Sequence, residues 1–440
     1  MAELNARAAT PAPSRRERLA RRLWSGLVAA LVPLALARLW WRGRRSPGYR
    51  ERFAERFGAA PRLAPGAIWL HAVSLGETRA ALPLIRALLA RHPDRPLLVT
   101  TTTPTGSAQV REALGERVAH CYAPWDLPGA CARFLDRAQP ALAVIMETEL
   151  WPNLFAACAA RGVPLVVANA RLSARSARGY ARVPWLIRPT LAATTLIAAQ
   201  AEADAGRFVA LGAPRVGVSG NLKFDLALPE ALPARAQALR RHWGAARPVW
   251  IGASTHAGED ELLLDAHARL RERWPELLLL LVPRHPERFD AVAALVQARG
   301  FALARRSHGE TGQAAAVYLG DTMGELLLLA AASDAAFVGG SLVPTGGHNV
   351  LEPAALGVPV AWGPHMFNFA AAEQLLAGAG AGRQVSDAGA LVQTLADWLA
   401  DPALRARCGA AGAAVVAANR GALARLLERL DALLPPAAAP

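Results

Sequence analysis

The sequence is poor in cysteine and almost devoid of lysine. Only four of its 440 residues are cysteines, and Lys223 is the single lysine beside a large excess of arginine. No C-x-x-C spacing or accompanying histidine pattern links the cysteines, which are Cys121, Cys131, Cys158 and Cys408. This argues against a disulfide framework or a zinc site and favours a reducing compartment. We attribute the lone lysine to compositional bias rather than to function.

Several catalytic signatures are missing as well. The sequence contains no Ser-His-Asp order, nucleophile elbow, P-loop, dinucleotide fingerprint or D-x-D pair. Their absence argues against hydrolase, kinase and dehydrogenase activities and against dependence on a bound metal. Apolar residues make up 53% of the chain and charged residues 19%, so it is expected to fold. Its length suits two domains of about 200 residues each.

Basic residues are concentrated near the N-terminus. Up to residue 60 there are thirteen arginines against four glutamates, a net charge of +9 out of the total of +14. These arginines bracket an apolar segment, residues 23–37, which is followed by Trp40 and Trp41. Tryptophan and arginine at the end of an apolar segment are typical of a membrane interface. We therefore predict a membrane anchor rather than a nucleic-acid-binding surface.

A membrane-spanning anchor has two alternatives: a cleaved signal peptide, and a segment that lies shallow in the bilayer. Residues 35–37 (ALA) resemble a signal-peptide cleavage site, but the arginine-rich exit and the shortage of cysteine argue against export. Fifteen apolar residues are also marginal for about 30 Å of hydrocarbon. Whether the segment spans the bilayer or lies shallow in it stays open, and we assign no role to the basic extension 1–22.

From residue 65 onward, short apolar runs alternate with helical patterns, which predicts an α/β fold with mostly parallel sheets. The proline-containing stretch 221–236 lacks periodicity and is predicted to link two doubly wound domains, whose ligands would lie in a cleft at strand C-terminal ends. The predicted domains are 1–45 (basic extension and anchor), 46–225 and 226–440. Strands are predicted at 67–73, 96–102, 118–123, 141–147, 164–169, 194–199, 216–219, 248–254, 277–283, 301–304, 315–319, 335–339 and 358–362.

The strongest local signal is the stretch 339–353, GGSLVPTGGHNVLEP, which follows a predicted strand. Its two glycine pairs allow backbone amides to approach an anion, and the helix that begins near His348 and Asn349 favours phosphate. Glu352 can accept hydrogen bonds from ribose hydroxyls. The alternative is a plain turn before a capped helix, but the spacing G-G-x₅-G-G-H-N-x-x-E-P favours a nucleotide site.

Two further stretches offer groups to the same ligand. Arg284 ends a strand in LVPRHPERF, where its guanidinium can bind phosphate or simply be solvated. The loop GDTMGEL, residues 320–326, can present amides to a nucleotide, or it can be an ordinary helix cap formed by Asp321 or Thr322.

Carboxylates follow two predicted strands of the first domain. Glu77 in HAVSLGET can act as a general base with a pKa raised by burial, or it can only stabilise the helix N-terminus. Glu147 and Glu149 in METELWPN repeat the arrangement, and no histidine or aspartate lies close enough in the sequence to complete a metal site. TTTPTGS (101–107) and NARLS (169–173) supply hydroxyls, an amide and Arg171 at further strand ends.

Taken together, HAVSLGE, TTTPTGS, ETELWPN, NARLS, PRHPERF and GGSLVPTGGHNVLEPAALGVPV resemble the motifs of the 3-deoxy-D-manno-octulosonic acid (Kdo) transferases of lipopolysaccharide synthesis. The resemblance covers residues 45–425. It implies a GT-B glycosyltransferase fold, with two Rossmann-like domains facing across a cleft, and an anchor on the cytoplasmic face of the inner membrane. It also implies inverting transfer of Kdo from CMP-Kdo to a lipid A precursor such as lipid IVA, without metal or other cofactor.

The resemblance also implies roles for individual residues. Glu77 corresponds to the proposed general base, and Glu149 to a second essential carboxylate. The acceptor side comprises Ser74, Gly76, Thr103 and Arg171. The donor side comprises Arg284, Met323, Gly324, Glu325, Gly339, Gly340, Ser341, Gly346, Gly347, His348, Asn349 and Glu352.

Two other functions remain as alternatives. A nucleotide-sugar epimerase can share the GT-B fold and a similar nucleotide site, but it needs no membrane anchor. A membrane-anchored protein that binds nucleotide or anionic lipid without catalysis would retain its activity after Glu77→Ala. The expected partners are CMP-Kdo, the lipid A precursor and inner-membrane lipids, with no nucleic acid.

Overall fold

The computed structural model describes residues 14–435, which form two compact units. One unit contains the chain as far as Asp225 together with the segment from Arg420 onward, and the other contains Leu226–Asn419. Each unit is built on a seven-stranded sheet in which all neighbouring strands are parallel. The predicted α/β class is therefore confirmed. Residues 1–13 of the basic extension lie outside the described residues.

The sheet of the first unit has the strand order β3-β2-β1-β4-β5-β6-β7. Its central strands are fully buried because helices cover both faces, which explains their continuous apolar runs. All seven predicted strands are present, as β1 (Ala67–His71), β2 (Leu97–Thr101), β3 (Ala119–Tyr122), β4 (Pro140–Met146), β5 (Leu165–Ala170), β6 (Leu196–Ala199) and β7 (Val216–Val218).

Helices on the two faces of this sheet enclose two separate apolar cores. Several begin with proline at the first helical position, where the missing N–H costs nothing. In chain order the helices are α1 (Arg15–Arg42), α2 (Phe53–Arg56), α3 (Leu75–Arg91), α4 (Pro104–Leu114), α5 (Pro128–Ala138), α6 (Pro152–Ala160), α7 (Ala174–Tyr180), α8 (Pro184–Ala192) and α9 (Glu202–Ala210).

The sheet of the second unit has the order β10-β11-β9-β8-β12-β13-β14. Six of its strands were predicted, and the edge strand β14 was not, because its three residues contain no apolar run. The strands are β8 (Val249–Thr255), β9 (Leu278–Pro283), β10 (Leu303–Arg305), β11 (Val317–Leu319), β12 (Ala335–Val338), β13 (Val360–Trp362) and β14 (Gly382–Gln384). The helices are α10 (Leu232–Trp243), α11 (Asp260–Arg273), α12 (Phe289–Ala298), α13 (Leu326–Ala331), α14 (Leu351–Ala355), α15 (Ala370–Gly378), α16 (Ala388–Ala400) and α17 (Pro402–Asn419).

The last helix, α18 (Ala422–Asp431), belongs to the first unit. Leu426 and Leu430 on its apolar face enter the same core as α3. The Asp225 carboxylate accepts hydrogen bonds of 2.6 Å from the backbone amides of Gly421 and Leu423 and so fixes the start of the helix. The predicted domain 226–440 thus differs from the compact unit at its C-terminal end, because the apolar face of α18 is buried against the first unit.

Helix α1 contains the predicted anchor segment. Over Arg15–Arg42 it is long and apolar enough, by length and composition, to cross a membrane. It begins with a capping box, in which Ser14 and Glu17 satisfy each other's backbone amides. Gly43 ends it, immediately before the arginines of the exit.

Both sheets reverse their strand order beside the first strand of the unit. In the first unit this topological switch point lies between β1 and β4, where His71 is in register with Ile145. In the second it lies between β8 and β12, where Ala253 is in register with Val338. Ligands of open parallel sheets bind outside the carboxyl ends of the strands at such points. The two switch points are therefore where functional residues are expected.

Candidate functional site

Glu77 lies at the switch point of the first unit, in the first turn of α3. The turn between β1 and α3 brings its side chain back over the strand end, where Glu77 Oε2 accepts a hydrogen bond of 2.7 Å from the Val73 amide. Ser74 is the N-cap of the helix, and its hydroxyl accepts from the Glu77 amide at 3.4 Å. Glu77 therefore stabilises the helix start, and its carboxylate also lines a pocket, where its role as a general base stays a prediction.

The segment after β4 brings further carboxylates to the same place. Glu147 has a left-handed backbone conformation (φ 55°) and donates its amide to the Ala168 carbonyl at 2.9 Å. Thr148 donates its hydroxyl to the carbonyl of Arg171. Left-handed backbone is uncommon for a residue with a side chain and is often found at functional sites. It directs the segment 147–149 towards Glu77.

Together these residues line a pocket of about 260 Å³, which we name the carboxylate pocket. Glu77 and the segment 147–149 supply three glutamates and a threonine to its lining, and the segment from the end of β5 into α7 supplies the remainder. Its lining residues are Glu77, Glu147, Thr148, Glu149, Arg171, Leu172, Ser173, Ser176 and Tyr180.

The carboxyl groups of Glu77 and Glu149 are buried and receive few hydrogen bonds, and this raises the pKa of both. Burial raises the pKa of Glu77 to about 7; the Val73 amide opposes this rise, and the charges of Glu147 and Glu149 add to it. Burial likewise raises the pKa of Glu149 to about 7, with Glu147 adding to the rise. A carboxyl with a pKa near 7 exists in both protonation states at neutral pH, which is what proton transfer requires.

Lys223 is the functional candidate that the sequence interpretation missed. It lies in a single 3₁₀ turn, Leu222–Phe224, which is fixed by a hydrogen bond from the Leu222 amide to Asn169 Oδ1 at 3.0 Å. Burial lowers the pKa of Lys223, and the charges of Glu147 and Glu77 partly restore it. The only signal in the sequence was its rarity, because Lys223 is the single lysine of the chain.

Two of the four predicted acceptor residues are helix N-caps. Ser74 caps α3, and Thr103 caps α4 by accepting from the Gly106 amide at 3.2 Å. Gly76 is an ordinary residue of the first turn of α3, and within 4 Å a Cβ added there would meet only Ser74 Oγ, at 3.8 Å. Arg171 is the predicted acceptor residue that lines the carboxylate pocket.

At the switch point of the second unit, a buried carboxylate fills the glycine-rich loop that follows β12. Glu259 Oε1 accepts from the amides of Ser341 and Leu342 at 3.0 Å each. Glu259 Oε2 accepts from the amides of Gly340 at 2.7 Å and His256 at 2.9 Å. The sequence suggested the amides of Gly340 and Ser341 as hydrogen-bond donors to a phosphate. Both amides already donate to Glu259.

The loop is closed by its glycines. Gly340 (φ 67°) and Gly347 (φ 72°) have left-handed backbones, and the Gly347 amide donates to the Gly340 carbonyl at 2.7 Å. A side chain on Gly340 would come within 2.7 Å of Thr345 Oγ1. The glycine pairs thus serve loop closure. Glu259 was missed because the sequence THAGED shows only a histidine and two acids after a strand, without indicating which acid turns inward.

Several predicted donor residues do come together in this unit. Asn349 Nδ2 donates to Glu352 Oε1 at 3.0 Å, and the Asn349 side chain also accepts from the Leu351 amide. Burial raises the pKa of Glu352, whereas the Asn349 hydrogen bond and the charge of Arg284 lower it. His348 stacks on His256 with 2.8 Å between their Nε2 atoms. Arginine, histidine, amide and carboxylate groups therefore form one polar cluster.

The predicted loop 323–325 is a separate feature of this unit. Glu325 forms a bidentate pair with Arg306 at 2.9 and 2.7 Å, and this pair lowers the pKa of Glu325 to about 2. Met323 is exposed and Gly324 has a left-handed backbone (φ 81°). Within residues 14–435, no group of three or more His, Cys, Asp or Glu is arranged to hold a metal ion.

Comparison with known proteins gives relatives that cover most of the chain. The family described as 3-deoxy-D-manno-octulosonic-acid transferase (kdotransferase) matches residues 51–226. The 3-deoxy-D-manno-octulosonic acid transferase of Haemophilus influenzae is 44% identical over 421 residues, covering 94% of this chain and 99% of that protein. The Bordetella pertussis transferase is 43% identical over 434 residues, again covering 94% and 99%.

Solved structures support the fold alone. A glycosyltransferase from Rickettsia africae superposes with a TM-score of 0.54 at 13% identity, covering 85% of this chain and 100% of that one. This likeness confirms the predicted GT-B class of two Rossmann-like α/β domains. Sequence identity decides the family: the chain belongs to the 3-deoxy-D-manno-octulosonic acid transferases.

Proposed function

We propose that the protein transfers Kdo from CMP-Kdo to a lipid A precursor, with inversion at the anomeric carbon. The Glu77 carboxylate takes the proton from a sugar hydroxyl of the acceptor. The freed oxygen forms a bond to the anomeric carbon of Kdo as the bond from that carbon to the phosphate oxygen breaks, and CMP leaves with the bonding electrons. Protonated Glu77 then releases its proton to solvent.

The observation that carries this proposal is the environment of Glu77. A general base works best when its pKa lies near the working pH, and burial raises the pKa of Glu77 to about 7. The carboxylate is held by one amide hydrogen bond from Val73 and faces a pocket wide enough for part of a sugar. Its sequence motif, HAVSLGE, is the one that the family resemblance assigns to the base.

The other pocket residues are proposed to position the acceptor. Glu149, whose pKa is also raised to about 7 by burial, can exchange a hydrogen bond with a sugar hydroxyl in either protonation state. Arg171 can bind an acidic group of the acceptor. Lys223 offsets the negative charge of the glutamates, so that Glu77 stays partly ionised at neutral pH.

We propose that the second unit binds the CMP part of the donor. Arg284 and His348 supply positive or hydrogen-bonding groups to the phosphate, while Asn349 and Glu352 are available to the ribose. The amides of Gly340 and Ser341 are held by Glu259, so these residues, with Gly339, Gly346 and Gly347, would shape the site rather than bind phosphate through amides. Met323, Gly324 and Glu325 are proposed to border it.

The membrane-associated character of the family agrees with helix α1, and the finer localisation is part of the proposal. We place the two units on the cytoplasmic side of the inner membrane. Four buried, unpaired cysteines fit a reducing compartment. The arginines that flank α1 suit an anionic leaflet.

The test is a transfer assay with purified protein, CMP-Kdo and tetraacylated lipid A precursor, in the presence and absence of a chelator. The expected product is the Kdo-bearing glycolipid, identified by its mass, together with one CMP for each Kdo transferred. Release of CMP without glycolipid would refute the transferase proposal. Loss of activity on chelation would refute the metal independence that we propose.

A further inference from the structure

Helix α1 has two different apolar faces. Along one face, residues are partly covered at every third or fourth position over the whole length of the helix, at Glu17, Ala20, Trp24, Val28, Val32, Ala35 and Leu39. This spacing is that of one face of an α-helix in continuous contact with a surface. The globular part of the first unit, through α6 and α8, provides that surface.

Two hydrogen bonds hold the N-terminal half of the helix to this surface. Trp24 Nε1 donates to Asp126 Oδ2 at 2.6 Å, and Ser25 Oγ donates to Asn153 Oδ1 at 3.1 Å. Asp126 is almost fully buried and also accepts from the amides at the start of α6, including Leu154 at 2.8 Å. The anchor helix is therefore bonded to a group that organises the core of the unit.

The C-terminal end of α1 is also attached. Arg50 donates to the Trp40 carbonyl at 3.0 Å, and its guanidinium stacks on the Trp40 ring at 4.3 Å. Arg50 ends a short 3₁₀ turn whose Gly48 carbonyl accepts from the hydroxyl of Tyr122 at the end of β3. Contacts at both ends mean that the helix lies along the unit rather than projecting from it.

A second face of α1, about 100° around the helix from the first, is leucine-rich and exposed. Leu23 and Leu34 are each 67% exposed, and Leu19, Leu27 and Leu31 lie on the same side of the helix. The start of α8, against which α1 packs, adds exposed Val183 and Trp185. A row of exposed leucines along the helix, with arginines at both of its ends, is complementary to an anionic bilayer.

A spanning orientation conflicts with this packing. If α1 crossed the bilayer while attached along its length, α6 and α8 would enter the hydrocarbon, and the exposed Arg188 of α8 would go with them. An arginine in the middle of a bilayer is energetically unfavourable. A helix lying in the plane of the membrane keeps these charges in the headgroup region.

From these contacts we infer that α1 is an in-plane anchor: its leucine face is immersed in one leaflet and its other face is packed on the first unit. The inference rests on the proposed membrane location but not on the reaction. It also connects the membrane to the carboxylate pocket, because the segment that exposes Val183 and Trp185 begins with pocket residues Ser173, Ser176 and Tyr180. A lipid-borne sugar can then reach Glu77 while its acyl chains stay in the leaflet.

Depth measurement with nitroxide labels tests this orientation. Cysteine is introduced at Leu19, Leu27 or Leu34 and labelled; the four native cysteines are buried. The full-length protein is bound to vesicles of phosphatidylcholine and phosphatidylglycerol. An in-plane helix places all three labels at one shallow depth, within a few ångströms, whereas a spanning helix places Leu27 about 12 Å deeper than Leu19, at 1.5 Å per residue. Glu261→Cys on α11 is the control and should remain in water.

A greater depth at residue 27, or labels that all stay in water, would overturn the inference. A second measurement does not depend on label depth. Arg16→Cys and Arg44→Cys are treated with a membrane-impermeant maleimide in inverted and right-side-out inner-membrane vesicles. Both should react only where the cytoplasmic face is outward, and reaction of the two sites from opposite faces would show a spanning helix. Wild-type transfer activity, measured separately, distinguishes failure of this inference from failure of the proposed function.

Discussion

The two switch points place carboxylates at the same topological position and give them different surroundings. After β8, Glu259 receives four backbone amides and is completely buried. After β1, Glu77 receives one amide and shares its pocket with two further glutamates. The number of donors decides the role of each, because a fully bonded carboxylate is a structural element whereas an under-bonded buried one can bind a proton.

Of the substitutions that test this difference, we expect the one at Glu77 to have the largest effect on activity. Glu77→Gln keeps the shape of the side chain and removes the base, so we expect kcat for Kdo transfer to fall by about 10²–10⁴-fold. Steady-state kinetics with CMP-Kdo and the lipid acceptor measure the change. Glu116→Gln, an exposed glutamate of the same unit, is the matched control and should leave kcat unchanged. Near-normal turnover of Glu77→Gln would show that Glu77 is not the base.

At Glu259 the expected effect is on binding. Glu259→Gln replaces one carboxylate oxygen by an NH₂ group that faces backbone donors, and each hydrogen bond to a charged group contributes about 1.5–3 kcal/mol. We expect the glycine loop to loosen and KM for CMP-Kdo to rise about 10–100-fold, with a smaller change in kcat. Glu261→Gln, exposed on the same helix, is the control. An unchanged KM for Glu259→Gln would mean that the loop does not shape the donor site.

Lys223 allows the pKa of the base to be moved without changing the base itself. Only ionised Glu77 is active, so kcat/KM should rise with pH through about 7 and then level off. Lys223 lowers the pKa of Glu77. Lys223→Met should therefore raise that pKa and shift the rise in activity to higher pH, whereas Lys223→Arg should retain the wild-type profile. A pH–rate profile that is the same in Lys223→Met would contradict this role.

The smallest effects concern two glycines. Gly76 has ordinary helical backbone and open space around it, so Gly76→Ala should stabilise the protein by about 0.4–1 kcal/mol. Gly340 has φ 67° and a close neighbour, so Gly340→Ala should destabilise it by more than about 1 kcal/mol. Denaturant unfolding of the two variants measures both changes, and equal effects would contradict the distinction.

Much of the fold could be predicted because apolar runs and their spacing are local properties. The thirteen predicted strands are present, including the short strand β10. β14 could not be found because it has no apolar run. The return of α18 to the first unit could not be found either, because an apolar helix face does not specify which core it enters.

The site was predictable in its position and less so in its hydrogen bonding. Glu77 and Glu149 follow strands that the topology makes neighbours, so the sequence could place them together. Three features depend on long-range contacts that no local pattern records: the use of the loop amides by Glu259, the approach of Lys223, and the left-handed backbone of Glu147. Ser74 and Thr103 are helix N-caps, and their contact with the acceptor stays a prediction, because capping residues and ligand-binding residues share one composition.

The central claim is that proton transfer belongs to the carboxylate pocket and donor binding to the glycine-loop unit. Calorimetric titration of CMP into Glu77→Gln and Glu259→Gln, beside the wild-type protein, tests it most directly. We predict that Glu77→Gln binds CMP as the wild type does and that Glu259→Gln binds it about 10–100-fold more weakly. Equal loss of CMP affinity in the two variants, or loss in Glu77→Gln alone, would contradict this division of roles.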